Sequence, residues 1–153
     1  MLKPGDHVPN VSYATVDGGS GAIAGHKGRE LVVYFYPKDD TTGCTREAQD
    51  FSALAPDFAK VGADIVGISK DSVKSHAKFI GKYDLKVVLG SDESGEVCEA
   101  FGVWVEKSMY GRNYMGIERA TVLIGADGKI AQIWRKVKVA GHAAVVLEAV
   151  KAL

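Results

Sequence analysis

A cysteine stands at position 44 inside "YFYPKDDTTGCTREAQDF", residues 34–51. Apolar residues precede it, a polar turn surrounds it, and a helical pattern follows. A helix that begins near Thr42 leaves its first backbone N–H groups unpaired and pointing outward. Those donors, with the positive end of the helix dipole, favour an anion. A cysteine in that first turn is therefore favoured as the thiolate, the nucleophilic form. Thr41 and Thr42 are good N-cap types, and either hydroxyl could donate to a neighbouring anion. Pro37 ends the preceding strand rigidly and could shield the sulfur. The same residues also suit a small side chain in a tight turn, since free cysteines are usually buried and inert. Position alone does not decide between the two.

The elements that must position Cys44 alternate in type. "ELVVYFYP" is a short continuous apolar run, as expected of a strand buried on both faces. Beyond the turn, Phe51, Leu54, Ala55, Phe58 and Val61 recur at helical spacing. "ADIVGIS" predicts a second buried strand, "SVKSHAKFIGKY" a second helix and "KVVLGS" a third strand. A short helix is expected around "ESGEVCEAFG". "ATVLIGADGKIAQIW" predicts a hairpin with Asp127-Gly128 at its turn, and "GHAAVVLEAVKAL" a closing amphipathic helix. The first thirty residues, with "DGGSGAIAGHKG", predict a peripheral hairpin. Together these elements imply an α/β fold, a mixed central sheet covered by helices on both faces.

Composition narrows the function class. A chain of 153 residues is expected to form one domain, 1–153. Nineteen basic and nineteen acidic residues balance, with no block suited to nucleic acid or an anionic membrane. "MLKPGDHVPN" lacks the apolar stretch of a signal peptide, and no run approaches the roughly 18 apolar residues of a membrane span. Two cysteines without a secretory signal predict a cytoplasmic protein rather than a disulfide scaffold.

"PKDDTTGC" matches the Pro-x-x-x-Thr-x-x-Cys signature of peroxiredoxins. The surrounding "YFYPKDDTTGCTREA", with "EKSMYGRNYMGIERAT" downstream, resembles the peroxiredoxin Q group, also called bacterioferritin comigratory protein. The likeness runs through "WRKVKVAGHAAVVLEAVKAL", nearly the whole chain. It implies a thioredoxin-like fold and a thiol peroxidase that reduces hydrogen peroxide and organic hydroperoxides, an antioxidant activity in cell redox homeostasis. On this chain it implies Cys44 as the peroxidatic cysteine and Thr41 as the hydroxyl that hydrogen-bonds thiolate and peroxide. Pro37 becomes the shielding proline and Arg119, in "GIERAT", the active-site arginine. Glu47 and Gly43 are expected to support the site. Thr42 stands where the group usually has proline. The thiolate attacks a peroxide oxygen in line while charge builds on the leaving oxygen, so a fixed guanidinium and nearby hydroxyl and amide donors suit that reaction. The product is a sulfenic acid, and no metal or organic cofactor is required. The bland alternative for Arg119 is a surface ion pair with Glu118.

Restoring the thiol raises a second question. Many relatives carry a resolving cysteine five residues after the first, where "CTREAQ" puts Gln49. Others place it in the next helix, and "SVKSHAKFIGKY" has none. Cys98, on the core-facing side of a short helix, is the only internal candidate and is read as structural. The resemblance then implies a one-cysteine enzyme recycled by an external thiol: a thioredoxin, a glutaredoxin or a small thiol. Resolution through Cys98 stays open, as does a peroxide-sensing switch or holdase using Cys44. The chain is expected to be a monomer or a weak homodimer.

Other features are read blandly. Trp104, Tyr110, Tyr114 and Trp134 are expected to be core or site-wall aromatics, since no basic patch interleaves them. His7, His26, His76 and His142 show no metal-ligand spacing with either cysteine. A thiol–disulfide oxidoreductase wants Cys-x-x-Cys, and position 47 is Glu. A cysteine hydrolase needs an imidazole base, for which His142 is the candidate in a suitable element.

Overall fold

The structure is a computed structural model describing residues 2–26 and 28–153. In chain order its elements are β1 (Ser12–Ala14), β2 (Ser20–Ala22), a 3-10 turn (Ile23–His26), β3 (Glu30–Phe35), α1 (Thr42–Lys60), β4 (Ala63–Ser69), α2 (Val73–Tyr83), β5 (Val88–Ser91), α3 (Glu96–Ala100), β6 (Trp104–Met109), β7 (Arg112–Ile117), β8 (Ala120–Ile124), β9 (Ile130–Trp134) and α4 (His142–Lys151). Seven strands form one sheet in the order β2-β1-β5-β4-β3-β8-β9. β3, β4 and β5 run parallel, while β1, β8 and β9 pair antiparallel to their neighbours. This is the thioredoxin-like mixed sheet that the resemblance implied.

The side-chain period of a strand divides β3 between two cores. Val32, Tyr34 and Tyr36 enter a core with Phe51, Phe58, Phe79 and Leu147, built under α1, α2 and α4. Leu31, Val33 and Phe35 enter the opposite core with Val97, Cys98, Phe101 and Ile117. Two successive crossovers stepping the same way across the sheet put α1 and α2 on one face, because parallel crossovers share a hand. Among the described α-helices only short α3 packs on the other face, where Ile117 at the end of the β6–β7 hairpin joins the same core. Helices thus cover both faces, but unequally.

Most elements fall where the periodicity predicts. "ADIVGIS" is β4 to the residue, and Asp127-Gly128 turns the β8–β9 hairpin, whose register shifts between Leu123 and Ile124. The first residues form the β1–β2 hairpin and the 3-10 turn, with Lys27 outside the described residues. Val61 departs from its expected role: it is the C-cap of α1 and exposed, because the helix ends before that position reaches the core. The β6–β7 hairpin has no counterpart in the sequence reading. Its turn is Tyr110-Gly111, both at positive φ, whereas the usual signal for such a turn is Asn-Gly or Asp-Gly. Tyr110 is 98% exposed at that tip and Tyr114 is exposed beside it, so of the two expected placements, core or site wall, the core is excluded for both. No described helix is long and apolar enough to cross a membrane.

The Tyr34 ring of β3 stacks on Phe51 of α1 and lies across Gly67 of β4. A Cβ at Gly67 would meet Tyr34 Cζ at 2.5 Å. Gly67→Ala is expected to lower stability by roughly 1–3 kcal/mol, the scale of overpacking a core, measured by chemical denaturation. An unchanged midpoint would show that Tyr34 is free to move aside.

Candidate active site

Cys44 lies in the first turn of α1, 1% exposed. β3 delivers the chain into a polar loop, Thr41 takes the N-cap position with extended backbone, and its carbonyl accepts from the Thr45 amide at 2.8 Å. The group facing the sulfur comes from far along the chain. Arg119 Nη2 donates to Cys44 Sγ at 3.3 Å, across 75 residues. Its Nη1 donates to Glu47 Oε1 at 2.7 Å. Arg119 reaches this spot because β8 pairs antiparallel with β3, placing Ala120 opposite Phe35. The residue before β8 is thereby brought to the end of β3 where α1 begins. Val137 N donates to the Arg119 carbonyl at 2.9 Å and pins the backbone.

The remaining expected site residues lie around this fork. A Cβ on Gly43 would sit 3.2 Å from Arg119 Nη2, so the absent side chain is what lets the guanidinium approach. Glu118, the bland partner for Arg119, instead binds Arg135 at 3.0 Å. Pro37 is exposed at the start of the loop. Thr41 is exposed, and its hydroxyl donates to the Lys38 carbonyl at 2.8 Å. Its one hydroxyl hydrogen is therefore directed at that carbonyl rather than at the Cys44 sulfur, which departs from the expected bond to the thiolate.

Charges near the sulfur are set by burial as much as by pairing. Burial pushes the Glu47 carboxyl up to about 7, against the opposing pull of Arg119. Burial works to lower Arg119, but the charges of Glu47 and Cys44 outweigh it and hold the guanidinium protonated. Lys107 of β6 is lowered by its own burial and by Arg119. A Cβ on Gly116 would meet its stem at 3.2 Å. The sequence reading missed Lys107, because the hairpin that carries it was not predicted.

The loop between β3 and α1 is held by two consecutive carboxylates, read from sequence only as turn residues. Asp39 Oδ2 lies 2.7 Å from His76 Nδ1 and accepts from Ser75 Oγ at 2.8 Å, while its Oδ1 accepts from Tyr36 Oη at 2.6 Å. Burial raises the Asp39 carboxyl, but these bonds more than offset it, and the net direction is down. Asp40 accepts from Lys82 Nζ at 2.8 Å and Tyr83 Oη at 2.6 Å. Both partners sit on α2, so that helix carries the loop. Asp39, Asp71 and His76 bring three ligand-type atoms within 4.8 Å. Every one of those atoms is already hydrogen-bonded inside the network, which marks it as a clamp rather than a cation site.

The other candidates lie elsewhere. Cys98 is 0% exposed in the core on the opposite face of the sheet from Cys44, and both thiols are free. Burial, then its bond and charge interaction with Asp92, push the Cys98 thiol up, away from thiolate. Gln49 is exposed on the outer face of α1, in a polar groove with Thr45, Arg46 and Tyr83. His142 Nε2 lies 2.8 Å from Thr121 Oγ1, and burial, then Arg119, lower it to about 4. Its Nε2 is engaged by Thr121, and among the described residues no hydrogen bond joins it to Cys44, so nothing ties it to the sulfur as a base.

Residues 4–133 match the AhpC/TSA family. The chain is 54% identical to the peroxiredoxin Bcp of Xanthomonas campestris pv. campestris over 130 residues, 85% of this chain and 81% of that protein. It is 42% identical to the peroxiredoxin Bcp of Bacillus subtilis over 150 residues, 98% of this chain and 96% of that one. A solved structure of the X. campestris bacterioferritin comigratory protein, described for its alkyl peroxide reduction activity, superposes with a TM-score of 0.90 at 46% identity, covering 96% of this chain and 98% of that one.

The raised Glu47 carboxyl has a measurable consequence. Between the ordinary value of 4.5 and about 7, folded Glu47 holds a proton that the unfolded chain has released. Stability therefore falls as pH rises through that window and levels off above it. Relative to Glu47→Gln, the unaltered protein is expected to lose up to about 3 kcal/mol across it, read by denaturant unfolding at a series of pH values. Parallel curves would mean that Glu47 is ionised throughout.

Proposed function

The chain belongs to the AhpC/TSA family and is a thiol-dependent peroxidase, and from that premise we propose that Cys44 is the cysteine that meets the peroxide. The observation that carries the reading is the Arg119 fork, with one nitrogen on the Cys44 sulfur and the other on a buried carboxylate. The Cys44 thiolate attacks the hydroxyl oxygen of a hydroperoxide. The S–O bond forms, the O–O bond breaks, and the leaving alkoxide or hydroxide takes up a proton as alcohol or water. Arg119 stabilises the thiolate before attack and the leaving oxygen during it, without reorganising. Thr41 accepts the peroxide O–H and helps to orient it. Pro37 rims the entrance, while Gly43 and Glu47 seat the guanidinium.

Cys44 is left as a sulfenic acid. Gln49 offers no thiol, and Cys98 lies across the sheet, so the reductant is read as an external thiol. Its thiolate attacks the Cys44 sulfur and expels water, and a second thiol then releases Cys44 and carries off the disulfide. A thioredoxin, a glutaredoxin or a small thiol fits this scheme. The reading places this chemistry on one domain, 1–153, acting as a monomer or weak homodimer in the cytoplasm.

Cys44→Ser is expected to abolish peroxide consumption, and Cys98→Ser to retain most of it with dithiothreitol as reductant. Intact mass after one equivalent of peroxide should show no internal disulfide. A near-quantitative Cys44–Cys98 link would overturn the external-thiol reading. Arg119→Met is expected to slow peroxide reaction by about 10²-fold or more, the scale of losing one preorganised donor, measured by stopped flow. An unchanged rate would reduce Arg119 to a structural ion pair. Many turnovers per molecule distinguish an enzyme from a sensor or holdase oxidised once.

A further inference from the structure

Two buried polar side-chain atoms lack a hydrogen-bond partner among the described residues: Tyr34 Oη and Glu47 Oε2. Both belong to the interface between β3 and α1. The Tyr34 ring stacks on Phe51, with centroids 4.7 Å apart and planes 15° from parallel. Phe51 follows Glu47 by one turn on the same face of α1. On the other side Gly67 leaves room for the phenol, since a Cβ there would sit 2.6 Å from its oxygen. Burial raises the Tyr34 hydroxyl most, and among the charges Glu47 weighs most heavily on it, ahead of Cys44 and Asp39, with Arg119 opposing. A phenol has one hydrogen to give and a carboxylate only accepts. Glu47 Oε1 is served by Arg119; Oε2 is served by nothing.

We propose that Tyr34 is a positioning residue for the peroxide reaction: its hydroxyl donates to Glu47 Oε2, by a small side-chain rotation or through one internal water, and so holds the carboxylate that aims Arg119 at Cys44. The inference rests on the roles given to Cys44 and Arg119 above. Ionised Glu47 grips Nη1 and leaves Nη2 for the sulfur and the leaving oxygen. Protonated Glu47 grips it less firmly, so the donor that favours the carboxylate also favours the aligned guanidinium. The charged and titratable groups facing Glu47 are Arg119 from the β7–β8 link, Cys44 and Asp50 from α1, and Tyr34 from β3. His142 of α4 and Lys107 of β6 both feel the charge of Arg119. Among these groups Tyr34 has the uncommitted neutral donor.

The test follows Glu47 directly. In infrared difference spectra its carboxyl is the band that Glu47→Gln removes. Taking a donor from a carboxylate makes it easier to protonate, so in Tyr34→Phe the midpoint is expected to move to higher pH by ~0.5 unit or more. The acidic limb of the rate of Cys44 sulfenate formation by hydrogen peroxide should move the same way. In a Glu47→Gln background, Tyr34→Phe should not shift that limb further. An unmoved midpoint overturns the proposal, and so does a shift to lower pH, which would make the phenol an acceptor from protonated Glu47. Circular dichroism checks the fold. Should Tyr34→Phe not fold, 3-fluorotyrosine at position 34 keeps the shape with a stronger donor and is expected to move the midpoint downward. The infrared titration needs no turnover. Peroxide consumption that survived Cys44→Ser would sink the assignment of Cys44 and leave the titration standing.

Discussion

A guanidinium held against a sulfur inside a protein must have its charge answered nearby, and here Glu47 answers it. The 2.7 Å contact between Arg119 and Glu47 fixes the orientation from which the second nitrogen reaches Cys44. Removing either charge would leave the other buried without a partner, which costs far more than the pair itself contributes. The rest of the architecture is arranged around this requirement. Gly43 gives up its side chain to make room, β8 brings Arg119 to the end of β3, and the α1 backbone sets Glu47 one turn from the cysteine.

The loop that joins β3 to α1 is held just as deliberately. Asp39 and Asp40, adjacent in sequence, fasten it to the beginning and the end of α2. The two attachments differ in kind. The Asp39 cluster is buried and hydrogen-bonded on all sides, so in a low dielectric it is specific and strong. The Asp40 pair is exposed, screened by salt, and of small energetic consequence alone. The inner cluster holds the loop that leads to Thr41 and the first turn of α1, and the outer pair adds an exposed second attachment.

The sheet separates the two cysteines, and that separation supports the reading of an outside reductant. Cys44, in the first turn of α1, belongs to one core; Cys98 is enclosed in the other, its thiol raised by burial and by Asp92. Bringing their sulfurs within bonding range would mean opening the sheet that both cores share. Gln49 sits on the outer face of α1, beside a polar groove rather than a second thiol.

Short-range features were legible in the sequence. The apolar run of β3, the helical spacing after Cys44 and the turn at Asp127-Gly128 depend on neighbours a few residues away, and residue types report such neighbours directly. The Pro-x-x-x-Thr-x-x-Cys spacing belongs with them, and its resemblance pointed to Arg119 and Glu47 without saying how they meet. The β6–β7 hairpin was not legible, because its strands are half exposed and Tyr-Gly is a weak turn signal. His76 looked like a stray histidine, since its partner Asp39 lies 37 residues away. The bond from the Thr41 hydroxyl to the Lys38 carbonyl, the opposite placement of the two cysteines and the unmatched hydroxyl of Tyr34 were all decided by tertiary structure. Which face of a strand a side chain takes, and what waits there for its polar atom, is set by strand order and helix packing, and neither is written in local residue type.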